Sequence, residues 1–224
     1  MQTTAEERTN VQAQPLLRHD ADGIATLTLN RPDKFNALSV ALLSELHDEF
    51  RSIGDDRSIR AVILAGAGKA FCTGHDLKEM RANSSDEATR SLFRLCADVM
   101  LAIVGIPQPV IARVHAVATA AGCQLVATCD LAVAAREARF AVSGVNLGLF
   151  CSTPMVALSR NLSRKQAMEM LVTGEFVDAA TAERWGLINR VVPAEELDAA
   201  VAKMAASVAS KSPAAVALGT RLFY

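Results

Sequence analysis

Two short glycine-bearing segments hold the residues of this chain whose types and spacing could do chemistry. Phe71-Cys72-Thr73-Gly74-His75-Asp76-Leu77-Lys78-Glu79-Met80 follows an apolar strand, Ala61 to Ala65, and the small residues around Gly74 allow a tight loop that presents backbone N–H groups. Further along, Ala120-Ala121-Gly122 stands just ahead of the apolar run Leu125-Val126-Ala127, so its amides would sit at a helix N-terminus. Two such donors converging on one carbonyl oxygen would form an oxyanion hole and stabilise an enolate formed from a thioester. The alternative is that Gly74 and Gly122 only permit close packing.

Other reactive side chains are harder to assemble. His75 carries an imidazole that could titrate near neutral pH, although a lone histidine is more often a packed or exposed residue. Cys123, Ser143, Asn146, Cys151, Ser152 and Thr153 include nucleophile types, but none has a base beside it and the Gly-x-Ser-x-Gly elbow is absent. Cys123 and Cys151 read as small packing residues, and His115 reads as structural. No metal-ligand cluster is visible in the sequence.

The elements that must position these segments follow from periodicity. Gly23 to Leu29 alternates like a half-buried strand and Arg31-Pro32-Asp33 ends it as a turn. Ser39 begins a helix that places Val40, Leu43, Leu46, His47 and Phe50 on one face. A helix-compatible stretch runs from about Asp86 to Val104, and strands are expected over Pro109 to Val114 and Leu131 to Ala134, with a helix over Gly122 to Thr128 between them. The recurring strand-strand-helix order implies a layered α/β arrangement. Helix signals over Arg164 to Thr173, Ala179 to Trp185 and Ala194 to Ser210 make the last third helical.

Composition narrows the class. At 224 residues and 51% hydrophobic content the chain suits one globular unit with a sizeable core. A formal net charge of −1 gives no reason to expect a nucleic-acid surface. Five cysteines without a C-x-x-C pair argue against a disulfide framework or structural zinc and fit a reducing compartment. Residues 1–15 read as a disordered polar leader; Glu6 and Glu7 lack signal- or transit-peptide character, so a cytoplasmic protein is expected. No run is apolar enough for a membrane span.

The two glycine segments, together with Leu29-Asn30-Arg31-Pro32-Asp33-Lys34-Phe35-Asn36-Ala37-Leu38, Cys129 to Ala134, Phe140 to Gly148 and Ala179 to Ile188, resemble the crotonase (enoyl-CoA hydratase/isomerase) superfamily. The resemblance covers nearly the whole chain from Ile24 onward. Gly144 to Pro154 is most similar to the branch named for enoyl-CoA hydratase domain-containing protein 3.

The resemblance implies a spiral of ββα turns over residues 16–192, holding an acyl-CoA site, and a helical region over 193–224 used for trimer formation. Relatives continue beyond Tyr224, so that region is expected to be incomplete. It implies lyase or isomerase chemistry of fatty acid metabolism on an acyl-CoA or enoyl-CoA thioester, in a homotrimer or dimer of trimers. Coenzyme A enters as part of the substrate and no separate cofactor is implied. The amides of His75 and Ala121, beside Gly122, match the oxyanion donors. Lys34 and Lys78 match positions beside the nucleotide of coenzyme A, or are solvated surface lysines. Phe35, Ala37, Thr73, Asp76 and Leu77 match the slot for adenine and pantetheine, with Asp76 equally able to cap a helix.

Two positions depart from the pattern. Gln124 and Gly144 stand where hydratases carry glutamates, and an amide or a bare backbone cannot exchange a proton near neutral pH. Efficient hydration by the usual route is therefore not expected. What remains is an enolate-stabilising acyl-CoA protein, a catalytically inactive binder or regulatory subunit, or a divergent decarboxylase or hydrolase.

Overall fold

In a computed structural model of the protein, which describes residues 14–224, the strands form two sheets, and those between Ala61 and Ala141 alternate between them. The larger sheet has the order β1 (Leu16–Ala21), β2 (Ile24–Leu29), β3 (Ala61–Gly66), β5 (Val110–Val114), β7 (Leu131–Ala135) and β10 (Arg190–Val192). The smaller has the order β4 (Ala70–Cys72), β6 (Val117–Thr119), β8 (Arg139–Ala141) and β9 (Val177–Asp178). The β1–β2 and β8–β9 pairs are antiparallel and every other pair is parallel. Each β3β4, β5β6 and β7β8 pair is followed by helical chain, so the fold advances as a mixed α/β spiral of ββα turns.

The helices begin where the sequence supplies caps. Ser39 accepts from Leu42 N–H at 3.2 Å and starts α1 (Val40–Asp55); Asp76 caps α2 (Leu77–Ala82); Ser85 accepts from Ala88 N–H at 3.2 Å and starts α3 (Asp86–Gly105). The buried stripe of α1 is Leu42, Leu43, Leu46, Phe50 and Ile53, packed against α3. Val40 is exposed, one turn ahead of the buried stripe, so the face expected for it is corrected. The short α4 (Ala121–Thr128) is buried on every side, which is why its sequence is apolar without amphipathic period.

Beyond α4 come α5 (Ser152–Asn161), α6 (Arg164–Thr173), α7 (Ala179–Trp185), α8 (Leu197–Ala209) and α9 (Pro213–Phe223). Ser163 and Gln166 form a reciprocal capping box at the start of α6. The helix expected over Ala194 to Ser210 opens as a 3-10 turn, Ala194–Glu196, before α8. Leu197, Val201 and Ala205 of α8 cover the outer face of the large sheet at Ala61, Ile111 and Val133. The main core lies on the other face, and this double cover explains the near-continuous apolar run of β3.

Strand β1 was not foreseen, because its polar residues face solvent on a sheet edge. Of the leader expected over 1–15, residues 1–13 lie outside the described residues; Gln14 and Pro15 are held through their carbonyls by Asn30. Among the described residues no helix is long and apolar enough to cross a membrane.

Candidate active site

The loop after β4 is fixed on one side by a bridge to the Arg31–Leu38 turn. Leu38 N–H donates to Gly74 O at 2.7 Å and Asp76 N–H donates to Leu38 O at 3.0 Å. Because amides alternate along extended backbone, the His75 N–H between them points away from Leu38. On that other side lies the start of α4: a Cβ on Gly74 would come within 2.8 Å of the Ala120 Cβ and 3.3 Å of the Ala121 nitrogen. Gly74 has φ 88, a value a side chain rarely tolerates.

Ala120 is held with φ 51 and ψ −123, its N–H donating to Ala141 O at 2.9 Å and its carbonyl accepting from Gln124 N–H at 3.0 Å. Such a conformation costs a residue with a Cβ about 1–3 kcal/mol, and it sets the direction of the next amide, Ala121, the first of α4. Among the described residues, neither the His75 nor the Ala121 N–H donates to a protein acceptor. Both residues line one cavity of about 280 Å³, walled further by Leu77, Met80, Phe93 and Leu149.

Among the described residues no carboxylate lies on that wall. Gln124 sits one position below it, 6% exposed, with its Oε1 unpartnered among the described residues. Gly144 does reach the wall, in a 3-10 turn over Ser143–Leu147, where Leu149 N–H closes onto its carbonyl at 2.9 Å. A Cβ at 144 would lie 2.6 Å from Leu149 O and 2.7 Å from Cys151 Sγ. Ser143 also lines the cavity, its hydroxyl 2.9 Å from that of Thr119.

The cavity's titratable groups are held uncharged. Burial pushes the His75 imidazole down to about 4, and its ring packs edge-on against Phe93 at 5.2 Å with Nε2 unpartnered. His75 is therefore neutral at pH 7, in keeping with the packed alternative for a lone histidine. Burial pushes the Cys123 thiol up to about 12 and raises Cys151, so neither is a ready thiolate. His115 is structural, with Nε2 at 3.0 Å from Gly68 O.

The His75 shift has a stability consequence. The unfolded chain takes up a proton as pH falls through the usual 6.5, whereas the folded chain does so only near about 4. Stability is thus full above pH 6.5 and declines between 6.5 and 4, by up to roughly 3 kcal/mol. A His75→Phe variant is expected to show a flatter melting temperature across that window than the parent chain. Parallel acid limbs in the two proteins would contradict the assignment.

The other predicted site residues form the rim. Lys34 and Phe35 on the Arg31–Leu38 turn, and Lys78 on α2, are exposed, while Thr73 Oγ1 donates to Phe35 O at 3.3 Å and stitches the two segments. Thr73 and Leu77 reach the cavity; Lys34, Phe35, Ala37, Asp76 and Lys78 do not. Asp76 is committed elsewhere, accepting from Lys78 and Glu79 N–H as the cap of α2 and pairing with Arg31 at 3.0 Å. Burial raises its carboxyl, and the Arg31 hydrogen bond, with the two amides, outweighs this and leaves it below the usual value.

Gly122 is corrected. It faces β4 rather than the cavity, and a Cβ there would stand 2.1 Å from Cys72 O. Its role is close approach of two backbones, which brings the Ala121 amide to the loop of His75. Arg31 and Asn36 were missed as supports of the rim. Arg31 reaches Ala37 O as well as Asp76; Asn36, buried with φ 54, accepts from Arg31 N–H at 2.9 Å and donates to Ala67 O and Ala70 O at 2.8 Å each. The available signal was an asparagine placed just after a proline turn, the type that tolerates left-handed backbone.

A spiral of ββα turns that brings two free amides to one cavity defines the class, and the chain belongs to the enoyl-CoA hydratase/isomerase family, whose model matches residues 19–223. Within that family it is similar to the branch called enoyl-CoA hydratase domain-containing protein 3. The rat protein of that name, described as mitochondrial, is 45% identical over 203 residues, 91% of this chain and 68% of its own. The crystal structure of the human member is 44% identical with a TM-score of 0.91, covering 94% of this chain and 83% of that one. The crystal structure of an enoyl-CoA hydratase of Mycobacterium smegmatis is 62% identical with a TM-score of 0.92, covering 94% and 82%.

Proposed function

We propose that the chain binds a fatty acyl-CoA thioester with its carbonyl oxygen between the His75 and Ala121 N–H groups and stabilises the enolate formed there. The observation that carries this reading is the pair of amides, on two different elements, without protein acceptors at one cavity. Lys34 and Lys78 on the rim would meet the phosphates of coenzyme A, with Phe35, Ala37, Thr73, Asp76 and Leu77 forming the slot beside them. Coenzyme A arrives with the substrate, and no further cofactor belongs to this reading.

Hydration by two carboxylates is not expected. Gln124 offers an amide and Gly144 no side chain, and losing one positioned acid or base already costs ~10²- to 10⁴-fold. A reaction that starts without a base suits the wall better. In a malonyl-type thioester the bond from the α-carbon to the carboxylate breaks, its electron pair enters the enolate held by the two amides, CO₂ leaves, and water returns a proton to the α-carbon. The carboxylate-free wall also supports a second reading, a catalytically inert acyl-CoA binder or regulatory subunit.

Exposed Met155, Val156, Met168 and Val172 on α5 and α6 support assembly as a trimer or dimer of trimers. A cytoplasmic location remains the proposed one, whereas the rat and mouse relatives are mitochondrial by name.

Mass spectrometry of acyl-CoA, enoyl-CoA and malonyl-type thioesters incubated with the protein in deuterated water tests these readings together. We expect α-carbon deuteration or CO₂ loss without water addition to enoyl-CoA. Binding with no turnover would select the inert binder, and absence of binding would overturn both.

A further inference from the structure

We propose that Met80 sets the acyl-chain length this protein accepts, by separating the thioester cavity from a second chamber that receives the far end of longer chains. The inference rests on the placement of the thioester at His75 and Ala121. A second cavity, also of about 280 Å³, lies between the start of α1, the α2 helix and the first turns of α3. Met80 is on the wall of both cavities. On α3 the neighbours Leu92 and Phe93 divide in the same way, Leu92 on the second chamber and Phe93 on the first.

The chemistry of the second chamber suits the end of an apolar chain. Val40, Met80, Leu92 and Leu95 give it apolar walls, and its one carboxylate, Glu79, already accepts from Val40 N–H at 3.1 Å at the start of α1. The half-buried Met80 packs against the main core. It is unbranched, with three rotatable bonds, so it can swing aside without breaking a hydrogen bond. Its helix, α2, has only six residues, and little intrahelical structure resists a local shift.

The test is calorimetric binding of saturated acyl-CoA thioesters of increasing chain length to the full chain. In the parent protein, affinity should rise roughly fourfold per methylene until the chain meets Met80, and then stop rising. Met80→Ala is expected to move that break to longer chains. Adding Leu95→Trp, which fills the second chamber, should move it back. Met80→Phe replaces the flexible chain with a larger, rigid ring and should move the break to shorter chains, so it decides the matter if Met80→Ala does not fold. An unchanged break in variants that bind would overturn the role of Met80 and leave the thioester reading standing. Failure of the parent chain to bind any of these thioesters would overturn both.

Discussion

Gly122→Ala should disrupt both the fold and the site. The added Cβ would sit 2.1 Å from Cys72 O, 2.6 Å from its carbonyl carbon and 2.8 Å from its Cβ, so two backbones must separate. No rotamer change relieves this, because the obstacle is main chain. Overpacking of this kind costs about 1–3 kcal/mol and more where relaxation is blocked. For a chain of this size that corresponds to a melting temperature lower by roughly 10 °C. The shift also carries the adjacent Ala121 amide away from the His75 loop. Affinity for a saturated acyl-CoA thioester, whose carbonyl the amide would meet, should therefore fall even in protein that remains folded. A melting temperature within a degree or two of the parent would contradict the close approach.

The second large effect is expected from Asn36→Ala. Three hydrogen bonds are lost, to Arg31 N–H, Ala67 O and Ala70 O, at a side chain that is fully buried. Stranding a buried partner costs about 1–3 kcal/mol, and alanine at φ 54 adds the roughly 1–2 kcal/mol penalty of left-handed backbone. Urea unfolding should show a loss of about 3–5 kcal/mol. Asn36→Asp keeps the acceptor for Arg31 but turns a carboxylate oxygen toward the Ala67 and Ala70 carbonyls in a buried site, so it should destabilise at least as much as alanine. A loss below about 1 kcal/mol for alanine would show that water replaces these bonds. The rim would loosen with the core, because Asn36 joins the Arg31–Leu38 turn to the ends of β3 and β4.

The sequence made the strands that are buried on both faces legible, since Ala61 to Ala65 and Leu131 to Ala134 are continuous apolar runs. Amphipathic α1 and α3 were legible from their caps and period. Strand β1 was not, because a solvated edge strand has no apolar signature. The two glycine segments stood out as small residues placed after one apolar run, Ala61 to Ala65, and before another, Leu125 to Ala127. That pattern could not distinguish Ala121, whose amide is free, from Gly122, whose contribution is space. Whether His75 titrates or packs stayed open for a related reason: an imidazole's titration depends on burial against Phe93, far along the chain. Asn36 was hidden because its partners, Ala67 and Ala70, are remote in sequence and contribute only carbonyls.

The turn at Gly144 bears on how this chain could change. With Leu149 O and Cys151 Sγ occupying the space of a side chain, an acidic residue at 144 has no place until the 149–151 segment moves. Gaining a carboxylate here therefore has an obligatory order, the loop first and the acid second. A library of single substitutions at 144 would find only damaged proteins, whereas one that also varies 149 to 151 would have a passable route. The backbone here works as a latch that must open before the position can take an acid.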